Sequence, residues 1–296
     1  MQIKQLVWHL LTNLMNIREL LRDAKSQLAE SGISQTDAEH LLAHCLGISR
    51  MDLHNPVIVE TTLQNIGDKE TVEETFFTLV DRRIGQEPLQ YLTGRAPFRY
   101  LEIEVGPGVL VPRPESELLV DAVLHHISNM EGIISVVDLG AGSGALSLAI
   151  STESTNSRVI AVEKSPEAIF WLKQNVSTID EKVRIVEGDV SEVLIGVKCD
   201  LVIANPPYIP DGQVLPRDVA GFEPHVALFG GPTGMEIPRQ FIAAAARLLK
   251  SEGVLVIEHT EEQGVDIAME LFNNFENIVL HRDLNERPRW TSAVRK

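Results

Sequence analysis

Five short apolar runs spaced by helical segments constrain this chain more than any other feature. The runs are 135–139, 159–162, 183–186, 200–204 and 254–258, and helical periodicity fills 145–151, 166–176, 237–250 and 262–272. A short apolar run bounded by turn residues reads as a strand buried on both faces. Strands alternating with helices imply a doubly wound, mostly parallel α/β sheet. Segments 278–281 and 290–294 are expected to add an antiparallel edge, which brings the sheet to seven strands.

The chain ahead of this region has a different rhythm. Leu14, Ile17, Leu21, Ala24 and Leu28 keep helical spacing until Gly32 supplies a stop. Ser34 and Asp37 open a second helix, with Ala38, Leu41, Leu42, Cys45 and Leu46 on one face. A third, over about 71–84, turns Val72, Phe76, Leu79, Val80 and Ile84 inward. Residues 1–85 therefore form a small helical bundle. Over 86–114 the residues Phe98, Leu101, Ile103 and Val105 precede Gly106-Pro107-Gly108 and then Val109-Leu110-Val111. That pattern predicts a β-hairpin linker turning at the Gly/Pro site, with the sheet domain over 115–296.

Four consecutive strands end in a group able to hold a ligand. Asp138-Leu139-Gly140-Ala141-Gly142-Ser143-Gly144 follows the first and opens a helix. Its G-x-G-x-G spacing differs from the G-x-G-x-x-G dinucleotide fingerprint, but its glycines still let a ligand approach the backbone. Glu163 ends the second strand, where an acid can take both hydroxyls of a ribose. Asp189 follows the third and offers an acceptor to an adenine amino group, with Val190 as an apolar wall. Asn205-Pro206-Pro207-Tyr208 follows the fourth. Two prolines remove backbone N–H groups and stiffen the turn, so it presents acceptors with few competing donors. The result is a slot for a planar group carrying NH2. Surface solvation explains either acid taken singly, and a rigid turn explains Pro-Pro-Tyr. The order of all four along one edge is what points to a site, because open α/β sheets bind ligands at their carboxyl ends.

Composition narrows the partners. With 26 basic against 42 acidic residues the chain carries −16, which disfavours a nucleic-acid backbone. Two cysteines, Cys45 and Cys199, give no disulfide framework, and nine histidines show no ligand spacing, so no metal is expected. No apolar run reaches the roughly 20 residues of a membrane span. A cytoplasmic monomer is expected.

Together the D-L-G-A-G-S-G loop, Glu163, Asp189 and the N-P-P-Y turn resemble the ordered motifs of S-adenosylmethionine-dependent methyltransferases, which have a Rossmann-like sheet. More narrowly, the chain resembles the bacterial release factor glutamine N5-methyltransferase family over roughly residues 15–295. Gln86-Glu87-Pro88-Leu89-Gln90-Tyr91-Leu92-Thr93-Gly94 and Val111-Pro112-Arg113-Pro114-Glu115-Ser116-Glu117 match its linker. Asp37-Ala38-Glu39-His40-Leu41-Leu42, Glu223-Pro224 with Ala227-Leu228, and Arg287-Pro288-Arg289 match elsewhere. Departures are Glu163 for a commoner Asp, Ser116 for a usual Thr, and Thr260 where Gly is frequent. Residues 1–14 precede the family's usual start and read as an extension, with Met15 an alternative initiator.

The resemblance implies methyl transfer from S-adenosylmethionine to the glutamine amide of the Gly-Gly-Gln loop in peptide-chain release factors. It implies cofactor contacts at Gly140, Ala141, Gly142, Ser143, Gly144, Glu163, Asp189, Val190 and Asn205. Asn205, Pro206, Pro207 and Tyr208 would hold the substrate amide, with Asn205 and Tyr208 catalytic. The helical domain would recognise the release factor. His259 reads as a core or surface histidine rather than a base. Rival readings share the slot: glutamine methylation of a ribosomal protein, adenine N6-methylation of nucleic acid, or a silent cofactor-binding scaffold.

Overall fold

The structure, a computed structural model, describes residues 16–296. The suggested extension and the Met15 start lie outside the described residues. The described chain divides after Thr93 into two compact units.

In the first unit, α1 (Ile17–Glu30) starts at Asn16, whose side chain accepts from Glu19 N. Helix α2 (Thr36–Leu46) stops at Gly47, which adopts φ +65. Helix α3 (Pro56–Asn65) was not foreseen, although Asn55 caps it by accepting from Val57 N and Pro56 occupies its first turn. Helix α4 (Lys69–Ile84) begins at Asp68, which accepts from Thr71 N, and α5 (Leu89–Thr93) closes the unit. Leu28, Leu41, Leu42 and Phe76 are fully buried at its centre. Two acids are buried there as well, and both are paired. Arg83 donates to Asp37 at 2.8 Å, and Lys25 to Glu39 at 2.6 Å.

The second unit opens with a hairpin of β1 (Arg95–Phe98) and β2 (Leu101–Glu104). Its turn is Arg99-Tyr100, not Gly106-Pro107-Gly108 as the sequence suggested. Arg99 takes φ +53, a region a non-glycine residue avoids unless it is held there. It is held: its guanidinium donates to both oxygens of Glu153, at 2.6 and 2.7 Å, and its N–H donates to Glu117. The Gly-Pro-Gly segment packs instead. A Cβ at Gly106 would collide with Trp171, and one at Gly108 would lie 2.5 Å from Glu167 Cβ.

The sheet has seven strands, as expected. After α6 (Glu117–Ser128), a helix that was not foreseen, come β3 (Ile134–Leu139), α7 (Ala145–Glu153), β4 (Ser157–Glu163), α8 (Pro166–Ile179), β5 (Arg184–Glu187) and β6 (Cys199–Ala204). A parallel pair, β7 (Ile209–Pro210) and β8 (Phe229–Gly231), flanks two short helices, α9 (Arg217–Ala220) and α10 (His225–Leu228). The chain continues with α11 (Glu236–Leu248), β9 (Leu249–Glu258), α12 (Gly264–Leu271), β10 (Phe275–Arg282) and β11 (Pro288–Arg295). The strand order is β10-β11-β9-β6-β3-β4-β5, parallel from β9 to β5 and antiparallel at β11 and β10.

Strands β3 and β6 lie side by side at the centre, and the order runs outward from them in opposite directions. This is the switch point, where such sheets leave a crevice. The register aligns the ends: Leu139 pairs with Ala204 and with Val162, and Glu163 with Glu187. Residues following β3, β4, β5 and β6 therefore emerge along a single edge.

Candidate active site

At that edge one pocket opens. Its wall includes Gly140, Ala141, Gly142, Ser143, Glu163, Asp189, Val190, Asn205 and Pro207, nine of the positions singled out from sequence. Gly144, Pro206 and Tyr208 are not on that wall. Gly144 begins α7 at φ +87, and a Cβ there would fall 2.6 Å from Leu172 Cδ1. Its place is helix packing. Pro206, within the turn, is buried.

The glycine loop is fastened from both sides. Gly140 and Ala141 donate to Val162 O, each at 2.9 Å. Gly142 donates to Glu163 Oε2 at 2.8 Å, while Glu163 Oε1 accepts from Lys164 N and Ser165 N at 2.7 and 2.8 Å. The acid thus braces the loop as well as facing the pocket. Asp189 accepts from Ser191 N and Ser191 Oγ, and these bonds, with Lys164 at 3.2 Å, hold its carboxyl below the usual range. Beneath the loop, Asp138 is fully buried. Its Oδ2 accepts from Ser147 Oγ at 2.6 Å, and its Oδ1 has no partner among the described residues. Burial pushes this carboxyl up to about 7.

The Asn205–Tyr208 turn is clamped along its backbone. Gln263 Nε2 donates to Tyr208 O at 2.8 Å and to Gly234 O at 3.1 Å. Gly230 lies so close that a Cβ on it would be 2.6 Å from Pro207 O and 2.9 Å from Tyr208 Cα. The side chains are also tied. Asn205 Nδ2 donates to Ser116 Oγ at 3.1 Å, and Tyr208 donates its hydroxyl to Glu258 at 3.1 Å. Burial raises the Tyr208 phenol, the neighbouring Glu258 carboxylate adding to the effect, so it stays a neutral donor. Arg113, on the pocket wall, donates to both oxygens of the buried Glu223 at 2.7 Å. Glu223 is pushed up by burial, which that guanidinium opposes.

Several contributors were not assigned from sequence. Ser116 and Arg113 stood inside the V-P-R-P-E-S-E stretch without a role. Glu258 ends the fifth parallel strand, so the rule applied to the first four ends would have singled it out too. Gln263 and Gly230 gave no signal. His259 is fully buried, donating from Nδ1 to Thr260 O at 2.7 Å and accepting at Nε2 from Thr291 Oγ1 at 2.9 Å. Burial lowers its pKa, and that bonding fits a neutral core imidazole. Burial likewise pushes the thiols of Cys45 and Cys199 up, to about 11 and about 12. Neither is a nucleophile.

Comparison with known proteins is consistent over nearly the whole chain. Residues 19–94 match the PrmC N-terminal domain, and residues 115–220 the methyltransferase small domain. The release factor glutamine methyltransferase of Streptomyces coelicolor is 37% identical over 280 residues, 91% of this chain and 95% of its own. That of Bifidobacterium longum is 38% identical over 95% of this chain and 100% of its own. The chain belongs to the release factor glutamine methyltransferase family. A third relative of that name, from Mycolicibacterium smegmatis, is 37% identical over 94% of this chain and 98% of its own. As a family member the protein is an enzyme, a methyltransferase with a Rossmann-like sheet. Among the described residues no helix is long and apolar enough to cross a membrane.

Proposed function

We propose that this enzyme transfers a methyl group from S-adenosylmethionine to the side-chain amide nitrogen (N5) of the glutamine in the Gly-Gly-Gln motif of peptide-chain release factors. One observation carries the reading: the glycine loop with its two acids and the Asn-Pro-Pro turn share a single pocket at the switch point. The donors and acceptors fit S-adenosylmethionine. Its ribose hydroxyls and adenine amino group need acceptors, which Glu163 and Asp189 supply, and its ring needs an apolar slot, which Val190 and Phe241 help to line. Gly140, Ala141, Gly142 and Ser143 would hold it through the backbone, and Asn205 where the two halves meet.

When bound, the cofactor supplies a strongly electrophilic methyl group. The chain's own task is to present a poor nucleophile correctly and keep water away. Asn205 Oδ1 and the Pro206 carbonyl would each accept one amide hydrogen, aiming the nitrogen and favouring the positive charge that develops as the N–C bond forms and the S–C bond breaks. The methylated nitrogen would then lose one of its hydrogens to water as a proton. Pro207, on the wall, keeps the turn rigid. Tyr208, off the wall, anchors the end of the turn through Glu258 and would pack on the amide plane only by turning toward it when substrate binds. The helical unit recognises the release factor, and the enzyme works as a cytoplasmic monomer.

The test is mass spectrometry of purified release factor incubated with the enzyme and S-adenosylmethionine. A single methyl on the Gly-Gly-Gln glutamine is expected, with the rate down about 10²- to 10³-fold in Asn205→Ala. Transfer to a ribosomal protein or to DNA instead would overturn the substrate assignment.

A further inference from the structure

An amide side chain has nearly the same shape in either flip, so something must decide which end of Asn205 faces the pocket. Ser116 is buried, in the turn Pro114–Ser116 that precedes α6. Its hydroxyl donates to Glu258 Oε2 at 2.6 Å and receives Asn205 Nδ2 at 3.1 Å. The other carboxylate oxygen of Glu258 receives the Tyr208 hydroxyl. Glu258 is only 3% exposed, at the end of β9.

The polarity of this chain runs one way. Burial raises the Glu258 carboxyl, which the Ser116 and Tyr208 hydroxyls oppose by donating to one oxygen each. With both oxygens so occupied Glu258 acts as an acceptor, and a hydroxyl has one hydrogen. Ser116 gives that hydrogen to Glu258, so only lone pairs remain toward Asn205. Lone pairs attract the NH2 end of the amide. The oxygen is left for the pocket.

We propose that Ser116 and Glu258 are positioning residues that lock the Asn205 amide with Oδ1 toward the substrate, and so select an acceptor nitrogen that still carries hydrogens to donate. The proposal deepens the reading of the site given above and rests on it. Glu258 is off the pocket wall and Ser116 is on it, and each is assigned its effect through Asn205. With the lock removed, the amide is free to present NH2, which faces the hydrogens of an incoming amide and repels them. Glu258 also serves a second end of the same turn through Tyr208, so one buried carboxylate sets two of its side chains.

The experiment uses the full-length enzyme as wild type, Ser116→Ala and Ser116→Thr. Steady-state methylation of release factor should show kcat/KM down about 10- to 100-fold in Ser116→Ala, the range expected for one lost hydrogen bond. S-adenosylmethionine Kd should stay within about twofold, and Ser116→Thr, which keeps the hydroxyl, should recover most of the activity. If Ser116→Ala does not fold, Ser116→Val, which has the shape of threonine without its hydroxyl, is compared with Ser116→Thr and read the same way. A Ser116→Ala enzyme of wild-type kcat/KM would overturn the proposal, as would a threonine variant as impaired as the alanine.

A second readout needs no methyl transfer. In enzyme labelled with 15N-asparagine, the side-chain signal absent from Asn205→Ala is that of Asn205. Its NH2 should exchange slowly in wild type and Ser116→Thr, and fast in Ser116→Ala. Equal exchange in all three would refute the lock even if release factor is methylated. Slow exchange in an enzyme that methylates something else would sustain the lock and refute only the substrate.

Discussion

Replacing Asp138 by Asn should make the ligand-free protein more stable at high pH, and the gain should fade toward acid. The carboxyl is wholly buried and its Oδ1 is unpartnered. Burial, with Glu163 nearby, raises it from an ordinary 3.8 to about 7. A raised folded value means the charged form is disfavoured in the fold. The stabilisation is fully present below about pH 4 and is lost as pH rises to about 7. At about 1.4 kcal/mol per pH unit, holding the charge costs about 4 kcal/mol above that range. Asparagine never ionises, and its oxygen still accepts from Ser147. Its NH2 takes the place of Oδ1 as a buried donor without a partner, which costs about 1–3 kcal/mol. The net expectation is a gain of about 1–3 kcal/mol at pH 8, shrinking by about 3 kcal/mol on going to pH 5. Urea unfolding at pH 5, 6, 7 and 8, without S-adenosylmethionine, measures this. A change in stability that is the same at every pH, or a loss at pH 8, would refute the reasoning.

Three further outcomes are expected. Gly230→Ala drives a methyl against Pro207 O and Tyr208 Cα, both backbone atoms, so the catalytic turn must shift. Methyl transfer should fall by about 10²-fold or more while S-adenosylmethionine still binds by calorimetry; unchanged kinetics would show the turn to be compliant. Arg83→Ala leaves Asp37, whose side chain is 12% exposed, without its partner, and should destabilise the helical unit by about 3 kcal/mol in urea titrations. Leu172→Ala, at a fully buried site, should cost about 2–5 kcal/mol, read as a lower midpoint at unchanged slope.

The sheet was legible because buried parallel strands need uninterrupted apolar runs and little else. The four strand ends were legible for a related reason: parallel register brings every carboxyl end to one edge, so groups closing successive runs meet at one pocket even though each alone reads as a solvated residue or a turn. The hairpin turn was not. Gly106-Pro107-Gly108 has the composition of a turn, yet those glycines admit Trp171 and Glu167, while the real turn forces Arg99 to positive φ against its own preference. Glu153 and Glu117 hold it there, and neither is local in sequence. Helix α6 was not foreseen although its sequence carries the signal: Leu119, Val120, Val123 and Ile127 repeat at helical spacing and are buried. The Ser116–Glu258 contact spans 142 residues, and nothing in either neighbourhood names the other.

Because the strand order runs outward from β3 and β6, the two jobs of the pocket are written in separate stretches of chain. The glycine loop and both acids fall within residues 138–190, and the clamped turn with its supports within residues 205–263. A lineage can therefore inherit the first stretch unchanged while the second is exchanged or redrawn for a new acceptor. Such an exchange has one hidden condition. Ser116 lies 89 residues upstream of Asn205, outside both stretches, and a transplanted acceptor module that relies on an oriented asparagine must find a hydroxyl already waiting there.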